Sequence, residues 1–318
     1  MRVVLTRLSA FGDIVHTWPL AAALGAAGHE VGWVVEEELR QLVEGHPAVG
    51  RVFAVATRRW RRSPLSPATL FEVRECRRRI RCWGAAAVLD PQGLVKSALW
   101  GTLAGVPRRI GLHSSVRRER LAGLFYTETA RPSPALAHVV DHNLSLLHPL
   151  GLQHAVGAIP DGRFLLAGRA PATRVPPVVV VAGTGRPDKA WPADRWSELA
   201  ARLVAAGLPI VIAWGPGEEP LARAIAAGAG PGTKVAPPTS IGSLADLFAG
   251  AAVVVGGDTG PVHLAASLGV PTVGVFVATD ARRTGPRGDS ARIAAGTPPD
   301  VDAVERSVRA SLEVSAVT

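Results

Sequence analysis

Short apolar runs alternate with helical patterns along the first half of the chain. Five runs rich in Val, Ile and Leu lie between longer, more polar stretches: RVVLT (2–6), VGWVVEE (31–37), RVFAV (51–55), AAAVLD (85–90) and RRIGL (108–112). The stretch from Trp18 to Ala27 has the apolar pattern of a helix. Strands that alternate with helices predict βαβ units, and therefore a parallel sheet.

The same alternation restarts after an irregular, Pro- and Gly-containing stretch, LLAGRAPATRVPP. Four more apolar runs follow it: VVVVAG (178–183), PIVIAWG (209–215), AAVVVGGD (251–258) and TVGVFV (272–277). The helical stretches WSELAARLVAAG and PLARAIAAGAG separate them, and VDAVERSVRASLEV comes last. The pattern predicts an N-terminal domain over 1–160, a linker over 161–177 and a C-terminal domain over 178–318. The terminal helix is free, in this interpretation, to pack back on the N-terminal domain.

Two doubly wound α/β domains are therefore expected. Ligands of such sheets bind at the carboxyl ends of the strands, so we expect a central cleft to which both domains contribute residues. The length of 318 residues allows a core in each domain.

The two cysteines, Cys76 and Cys82, are too few for a disulfide framework or a Cys-rich metal site. No run of 18 apolar residues occurs, and we expect a cytoplasmic protein.

The excess of positive charge lies almost entirely in the first half. Residues 1–150 hold 20 Lys and Arg against 12 Asp and Glu, whereas residues 151–318 hold 15 against 14. This asymmetry indicates an anionic partner for the first half: nucleic acid, a phosphorylated small molecule or an acidic membrane. The segment RRWRRSP (58–64) is either a solvated face or a phosphate-contacting surface with its tryptophan at a membrane interface. No nucleic-acid recognition motif accompanies it.

Asp13 follows the first apolar run in the turn SAFGDIVHTWP. Two interpretations stay open from the residues alone: Asp13 caps a helix, or it presents a carboxylate at the carboxyl edge of the sheet. The turn has one glycine where a dinucleotide fingerprint needs G-x-G-x-x-G, which argues against a hydride-transfer enzyme. His16 is expected to be an ordinary packed or capping histidine.

A second candidate loop, AGTGRPDKAWP, follows the run at 178–183. A Gly- and Thr-containing turn before a helix offers backbone N–H groups to a phosphate, and Lys189 adds a positive charge. The P-loop pattern is absent, and a plain connecting loop with a surface lysine is the alternative.

The third candidate, VVVGGDTGPVHLAAS, ends a strand at Gly257 and opens a helix at Asp258-Thr259-Gly260. Free N–H groups, a hydroxyl and the positive end of a helix converge there, as binding of a diphosphate requires. The alternative, a capping box with a buried His263, leaves the two glycines and the threonine unexplained.

The motifs SAFGDIVHTWP, WVVEEE, DPQGLVKS, DKAWP and DTGPVHLAA occur in this order over the whole chain. In this combination the sequence closely resembles the ADP-heptose:lipopolysaccharide heptosyltransferases of glycosyltransferase family 9. The stretches VATRRWRR and LAGLFY are similar to the first type of these enzymes. The resemblance implies a GT-B fold of two Rossmann-like domains, with the acceptor in the N-terminal domain, the nucleotide sugar in the C-terminal domain, and neither metal nor other cofactor.

The resemblance also implies roles for individual residues. Asp13 would be the general base that takes a proton from a Kdo hydroxyl of Kdo2-lipid A while heptose is transferred from ADP-heptose with inversion, and Lys189 would assist catalysis. The positions implied in donor binding are Thr184, Gly185, Lys189, Glu219, Asp258, Thr259, Gly260 and His263. Those implied in binding an acidic glycolipid acceptor are Arg58, Arg59, Arg61, Arg62, Gln92, Lys96 and Arg118.

Two positions depart from the family pattern: Gly185 replaces a second threonine, and Thr239 replaces a methionine near the adenine. We expect peripheral contact with the anionic inner face of the cytoplasmic membrane and no nucleic-acid partner. One alternative is a family 9 transferase with another donor or a non-lipid acceptor, as in natural-product glycosylation. A second alternative, a basic nucleotide- or nucleic-acid-binding module, is supported by charge alone.

Overall fold

The computed structural model describes residues 1–166 and 175–315. The chain divides into two compact units, Met1–Ala158 and Ile159–Thr318, here called unit 1 and unit 2. The segment 161–177, predicted as a linker, begins just inside unit 2, and its residues 167–174 lie outside the described residues.

Unit 1 is built on a six-stranded sheet. Its strands in chain order are β1 (Arg2–Thr6), β2 (Glu30–Glu36), β3 (Val49–Val55), β4 (Ala87–Asp90), β5 (Arg108–Leu112) and β6 (Glu128–Ala130). They lie in the spatial order β3-β2-β1-β4-β5-β6, and each neighbouring pair is parallel. The direction of winding reverses between β1 and β4, and the carboxyl ends of these two strands form the switch point where open α/β sheets bind ligands.

Helices accompany this sheet along the chain. They are α1 (Phe11–Val15), α2 (Trp18–Ala26), α3 (Thr57–Trp60), α4 (Pro67–Trp83), α5 (Val95–Leu103) and α6 (Val139–Leu144), with 3₁₀ helices at Glu37–Leu42, Arg120–Phe125 and Ser145–Leu150. Every residue of β1 after Arg2 is buried. A strand covered on both faces reads as a continuous apolar run rather than an alternating one, which explains the sequence RVVLT.

Capping residues in the sequence mark both ends of α4, the longest helix of unit 1. Ser66 precedes it, and the Ser66 hydroxyl accepts the Thr69 backbone N–H at 3.1 Å. Pro67 occupies the first turn, where its missing N–H costs nothing, and Gly84 ends the helix in the left-handed region at φ +71°.

Unit 2 repeats the architecture of unit 1. Its strands are β7 (Val178–Val181), β8 (Ile210–Ala213), β9 (Thr233–Val235), β10 (Val253–Gly257), β11 (Thr272–Val275) and β12 (Ala291–Ile293). The spatial order is β12-β11-β10-β7-β8-β9, and neighbouring pairs are again parallel. The switch point lies between β7 and β10, as it lies between β1 and β4 in unit 1.

The helices of unit 2 pack a core rich in valine and tryptophan. They are α7 (Ala193–Ala205), α8 (Glu219–Ala229), α9 (Ile241–Ala249), α10 (Gly260–Ser267), α11 (Ala281–Thr284) and α12 (Val301–Ser315), with 3₁₀ helices at Arg163–Leu166 and Pro187–Lys189. Trp191 and Trp196 meet edge to face with ring centroids 4.7 Å apart, and both are buried. Gly256 allows β10 to approach β7, because a Cβ there would lie 2.7 Å from the Val181 carbonyl oxygen. Within unit 2, α12 packs on α7 and β11.

All nine apolar runs predicted as strands contain a strand. The strands β6, β9 and β12 were not predicted. Each has three residues, lies at or near an edge of its sheet and leaves at least two of those residues only partly buried or exposed. Such short edge strands carry too little apolar pattern to be recognised in the sequence.

Candidate active site

Asp13 lies beyond the carboxyl end of β1, in the first turn of α1. Its Oδ2 accepts a hydrogen bond from Nη2 of Arg118 at 3.0 Å and one from the backbone N–H of Ala10 at 3.4 Å. Its Oδ1 lies 3.7 Å from Nη2 of Arg7. The carboxylate is therefore flanked by two guanidinium groups, and its side chain is 15% exposed.

The interpretation of Asp13 as a helix N-cap is wrong. The helix begins at Phe11, Ala10 is the N-cap residue, and Asp13 stands within the first turn. There its carboxylate accepts the Ala10 N–H, a contact that also suits the positive end of a helix. The carboxylate therefore makes one contact with the N-cap backbone and also pairs with two arginines.

Arg7 is a buried arginine that the sequence analysis did not single out. It directly follows β1 and is 1% exposed. Its Nε donates to the Asp13 carbonyl oxygen at 3.3 Å and its Nη1 to the Pro91 carbonyl oxygen at 3.1 Å. A fully buried charge needs a partner of opposite charge, and Asp13 supplies it. The signal in the sequence is an arginine that follows an uninterrupted apolar strand.

Electrostatics at this site keep Asp13 ionised. Burial alone would raise the pKa of Asp13, but the charges of Arg7 and Arg118 and the hydrogen bond from Ala10 bring it below its ordinary value. Burial lowers the pKa of Arg7, and the negative charges of Asp13 and Asp90 oppose that effect. The site therefore holds a carboxylate that two cations stabilise in its charged form.

Asp90, at the carboxyl end of β4, is the central acceptor of a second, buried hydrogen-bond network. Its Oδ2 accepts the Tyr126 hydroxyl at 2.7 Å and the Ser97 hydroxyl at 2.8 Å. Its Oδ1 accepts backbone N–H groups of the following turn, among them that of Gln92 at 2.8 Å. Burial raises the pKa of Asp90, against these hydrogen bonds. This network fixes the turn after β4 beside Arg7.

Gln92, implied in acceptor binding, is buried and already engaged within the chain. Its Oε1 accepts the backbone N–H of Leu8 at 2.8 Å. This bond ties the turn after β4 to the turn after β1, which carries Asp13. Acceptor contact by Gln92 stays a prediction, and the contact that the structure shows is one that positions the Asp13 turn.

The predicted basic cluster splits into paired and unpaired arginines. Arg58 contacts Glu38 at 2.7 Å, and Arg59 contacts Glu72 at 2.9 Å and Glu37 at 3.4 Å. Arg61 and Arg62 are exposed, and within the described residues no ion pair is found for either. The cluster thus offers two available guanidinium groups beside two that already have carboxylate partners.

Lys96 lies half-buried at the start of α5, close enough to the basic cluster to interact with it. Burial lowers the pKa of Lys96, Glu36 opposes this effect, and the charges of Arg58 and Arg61 add to it. Lys96 follows β4 and the arginines follow β3, so both come after carboxyl ends of the same parallel sheet. That these positions bind the acceptor together stays a prediction.

Trp60 does not lie at a surface, contrary to the interpretation of the RRWRR segment as an interfacial aromatic. It is 8% exposed and packs near Trp100, with ring centroids 6.1 Å apart. Its indole N–H donates to Glu72 at 2.7 Å. The large apolar side chains exposed nearby are instead Leu65 and Phe71.

In unit 2, Asp258 of the second candidate loop contacts Lys189 of the first. Its Oδ2 accepts from Nζ of Lys189 at 2.6 Å and from the Thr279 hydroxyl at 2.7 Å. Nε2 of His263 lies 3.9 Å from Oδ1. Burial alone would raise the pKa of Asp258, but the nearby His263 and the hydrogen bonds from Lys189 and Thr279 hold it well below its usual range.

The first of these loops turns between β7 and α7. The Thr184 hydroxyl contacts the backbone of Arg186, and Lys189 ends a short 3₁₀ helix. Gly185 is exposed, and a Cβ there would meet nothing within 4 Å. The loop does not require glycine at this position for steric reasons.

The second loop leads into α10. Thr259 is the N-cap residue of this helix and makes no side-chain cap hydrogen bond, so the predicted alternative of a capping box is wrong. Its hydroxyl and the Gly260 N–H follow Asp258 directly, whereas Pro261 has no N–H and the Val262 N–H donates to the Thr259 carbonyl oxygen at 3.2 Å. A Cβ on Gly257 would meet nothing within 4 Å, so packing within the chain does not explain this glycine.

Two neighbouring glutamates behave differently at the start of α8. Glu219, implied in nucleotide binding, pairs with Arg223 at 2.5 Å along the helix surface. Glu218 instead turns toward the strand ends: its Oε2 accepts the Gly215 N–H at 2.8 Å, and a Cβ on Gly183 would collide with its carboxylate. The ribose role of Glu219 stays a prediction, whereas Glu218 is the carboxylate at the carboxyl ends of β7 and β8.

Within the parts of the chain that the structure describes, no group of three or more His, Cys, Asp or Glu side chains is arranged to hold a metal ion. Across the same residues, none of the helices has both the length and the apolar character needed to cross a membrane.

Comparisons with known proteins give a consistent family. Residues 73–309 match glycosyltransferase family 9 (heptosyltransferase). Lipopolysaccharide heptosyltransferase 1 of Pseudomonas aeruginosa is 36% identical over 298 residues, which cover 91% of this chain and 82% of that protein. The protein of the same name from Escherichia coli K12 is 35% identical over 289 residues, covering 88% and 89%.

Solved structures agree with this likeness. The structure described as E. coli heptosyltransferase WaaC with ADP is 32% identical, has a TM-score of 0.86, and is matched over 98% of this chain and 100% of its own. E. coli ADP-heptose lps heptosyltransferase II, 17% identical with a TM-score of 0.79 over 99% and 100% of the two chains, shares the fold. The α/β fold with two parallel six-stranded sheets matches these heptosyltransferase structures. By sequence and by structure, this chain belongs to glycosyltransferase family 9.

Proposed function

We propose that the protein transfers L-glycero-D-manno-heptose from ADP-heptose to a Kdo hydroxyl of Kdo2-lipid A in synthesis of the lipopolysaccharide inner core. The observation that carries the proposal is the likeness to lipopolysaccharide heptosyltransferase 1 proteins over about nine-tenths of the chain. Asp13 in unit 1 and the Asp258–Lys189 pair in unit 2 supply the chemical groups that such a transfer needs.

In the proposed reaction Asp13 is the general base. It takes the proton of the acceptor hydroxyl while that oxygen forms a bond to the anomeric carbon of heptose. The bond from the anomeric carbon to the β-phosphate oxygen breaks, and its electron pair leaves with ADP. A single displacement of this kind inverts the configuration at the anomeric carbon. The ionised state of Asp13, favoured by its two arginines, suits a group that must begin the reaction unprotonated.

The charge that grows on the leaving diphosphate is the second requirement. Lys189 pairs with Asp258 directly before the N-terminal end of α10, where the Thr259 hydroxyl and the Gly260 N–H lie. These groups stabilise an anion through fixed charge and hydrogen bonds. The proposed scheme gives this stabilisation to residues of the chain and contains no step that uses a metal ion.

Binding of the acceptor is proposed for the basic side of unit 1. Arg61, Arg62, Lys96 and Arg118 come after the carboxyl ends of β3, β4 and β5, the same edge of the sheet that carries Asp13. Guanidinium groups bind carboxylates and phosphates through charge-assisted hydrogen bonds, so this edge suits a phosphorylated, acidic glycolipid.

We also propose peripheral contact with the anionic inner face of the cytoplasmic membrane. Leu65 and Phe71 are 84% and 68% exposed beside the basic cluster, and Leu124 is 78% exposed in the segment that follows Arg118. Apolar side chains among arginines favour an interface in which lipid chains and lipid phosphates meet.

A family 9 transferase that takes another nucleotide sugar is the alternative. It is favoured by Gly185, where the threonine of the family pattern is missing from an exposed loop beside Lys189. A missing hydroxyl removes one hydrogen bond to the donor without changing the loop, because glycine is not sterically required there.

The direct test is incubation of the protein with ADP-heptose and Kdo2-lipid A, with ADP release and the mass of the glycolipid product measured together. We expect stoichiometric ADP and a product heavier by one heptose. Parallel reactions with GDP- and UDP-sugars and with no acceptor are the controls. ADP release that is equally fast without acceptor, or product from another donor only, would contradict the proposed function.

A further inference from the structure

The proposed base already pairs with two arginines in the absence of substrate. The Asp13 Oδ2 accepts from Arg118 at 3.0 Å and from the Ala10 N–H, and the Oδ1 faces Arg7 at 3.7 Å. A general base needs an accessible lone pair within hydrogen-bond reach of the hydroxyl that it deprotonates. The contact with Arg118 occupies Oδ2 and places an exposed guanidinium group over the carboxylate.

The two arginines on Asp13 are held in different ways. Arg7 is 1% exposed and is anchored by two backbone carbonyl oxygens, those of Asp13 and Pro91. Arg118 is 51% exposed, and its hydrogen bond to Asp13 is the one side-chain hydrogen bond that it makes among the described residues. Arg7 is therefore a fixed partner of the carboxylate, and Arg118 is a partner that can leave.

The backbone that carries Arg118 is fixed, so that only the side chain has to move. The Glu119 N–H donates to the Gly93 carbonyl oxygen at 3.0 Å, and the Glu119 carboxylate accepts the Val95 N–H at 2.7 Å. Arg117 donates to the carbonyl oxygens of Leu112, Glu119 and Arg120. These bonds hold the segment around Arg118 to the turn after β4.

We propose that an anionic group of the acceptor, a carboxylate or a phosphate, draws the Arg118 guanidinium away from Asp13, so that binding of an acidic acceptor frees the base that deprotonates it. This inference rests on the proposed function and adds a regulation of the same site. An exposed guanidinium exchanges one carboxylate partner for another with little net change in free energy. The acceptor thereby replaces the contact that it breaks.

The exchange also makes Asp13 a stronger base at the right moment. Among its causes, the charge of Arg118 lowers the pKa of Asp13, so departure of Arg118 raises that pKa. Arg7 stays, and behind it lie Asp90 and Tyr126, while His16 is one turn further along the chain from Asp13. Because the Arg7 charge remains, the freed carboxylate is still ionised.

The test compares Arg118→Met with wild type in pH profiles of turnover. The acid limb of kcat/KM reports the free enzyme, and that of kcat reports the enzyme with acceptor bound. Removal of the Arg118 charge raises the pKa of Asp13 in the free enzyme, so we expect the acid limb of kcat/KM to move to higher pH. The acid limb of the kcat profile should lie at the same pH in both proteins, since Arg118 has already left Asp13 in the complex. The KM for the acceptor should change little, because the contact that Arg118 makes with the acceptor replaces the one that it gives up with Asp13.

A second arm identifies the anion and separates this inference from a simple loss of binding. Wild type and Arg118→Met are each given an acceptor with the Kdo carboxylate esterified and one with the lipid A phosphates removed. With the acceptor that lacks the displacing anion, we expect kcat of wild type to fall at least tenfold. The kcat of Arg118→Met should fall much less. Arg120→Met, which changes an exposed arginine two residues away, is the matched control and should resemble wild type.

The outcomes are distinct. Acid limbs of kcat/KM that coincide in wild type and Arg118→Met, or equal kcat losses on neutral acceptors in both, would overturn the exchange. Absence of ADP release by wild type with the intact acceptor would instead overturn the proposed function. Unchanged thermal unfolding and ADP affinity of Arg118→Met would show that the variant is folded.

Discussion

The two units each hold an ionised aspartate beyond the carboxyl end of a strand at the switch point of the sheet, Asp13 after β1 and Asp258 after β10, and the two differ in how they are held. Asp258 accepts from Lys189 and Thr279 in a region where Lys189 is 19% exposed and His263 is buried. Asp13 has an anchored arginine at 3.7 Å and an exposed arginine at 3.0 Å. The pKa of both carboxyl groups is lowered, that of Asp13 by the charges of Arg7 and Arg118 and that of Asp258 by its contacts with His263, Lys189 and Thr279.

The difference shows that a lowered pKa does not by itself define a role. A carboxylate enclosed by several donors holds a cation in place, and Asp258 does this for Lys189. A carboxylate whose outer partner is exposed can exchange that partner for a substrate, and Asp13 is built in this way. We infer that unit 2 binds the donor through charges that stay in place. In unit 1, by contrast, the carboxylate takes up a proton after its exposed arginine partner has been released.

The largest effect is expected for the releasable carboxylate. Asp13→Asn keeps the size of the side chain and removes its basicity, so kcat should fall about 10²–10⁴-fold, the usual contribution of general-base catalysis. Turnover measured by ADP release at saturating donor and acceptor checks this. Turnover of Asp13→Asn near that of wild type would mean that Asp13 serves only to pair with its arginines.

The next effect concerns the cation that Asp258 holds. Lys189→Met should lower kcat/KM for ADP-heptose about 10- to 100-fold, because one charge-assisted contact to the leaving diphosphate is lost. Initial rates across donor concentrations give this ratio. Lys234→Met changes an exposed lysine of β9 and should leave the rates unchanged. Equal rates for the two variants would remove Lys189 from the donor site.

A smaller effect is expected where unit 1 carries unpaired charge. The double variant Arg61→Ser/Arg62→Ser should raise the acceptor KM about tenfold and reduce its dependence on salt, because screened charges no longer contribute to binding. Arg59 is left in place because Glu37 and Glu72 already pair with it. Arg78→Ser, on the exposed side of α4 and paired with Glu75, is the control. An acceptor KM and a salt dependence that both match wild type would exclude Arg61 and Arg62 from the acceptor site.

The smallest effect is expected for exposed apolar residues of unit 1. Leu65→Ser/Leu124→Ser should reduce binding to vesicles of phosphatidylethanolamine and phosphatidylglycerol about threefold per leucine, through loss of partly buried apolar area. Co-sedimentation with vesicles measures it. Val156→Ser, at a residue 64% exposed elsewhere in unit 1, is the control. Equal sedimentation of both variants would assign the leucines no part in membrane contact.

The sequence predicted the fold because apolar runs such as Val178–Val181 report burial on both faces of a parallel strand. Motif residues such as Asp13, Lys189 and Asp258 were found because each follows one of these runs. The family resemblance assigned Lys189 and Asp258 to one donor site, but their direct ion pair was not predicted, because they are 69 positions apart and meet only when two loops fold together.

Residues that act through a partner were missed for the same reason. Arg7 gains its role from the fold of the Asp13 turn, and Thr279 from the position of its loop beside Asp258. Nothing in the sequence distinguishes Glu218 from Glu219 either, because the geometry of the first turn of α8 decides which of them faces the strand ends. Local patterns identify elements and turns, whereas side-chain partners depend on tertiary contacts.

Titration of ADP into Asp13→Asn and Lys189→Met by calorimetry tests the division of roles between the two units most directly. The account predicts a Kd for Asp13→Asn within about twofold of wild type and one for Lys189→Met raised at least about tenfold, since only the second variant loses a charge-assisted contact to the nucleotide. A Kd that rises equally in both variants, or rises only in Asp13→Asn, would contradict it.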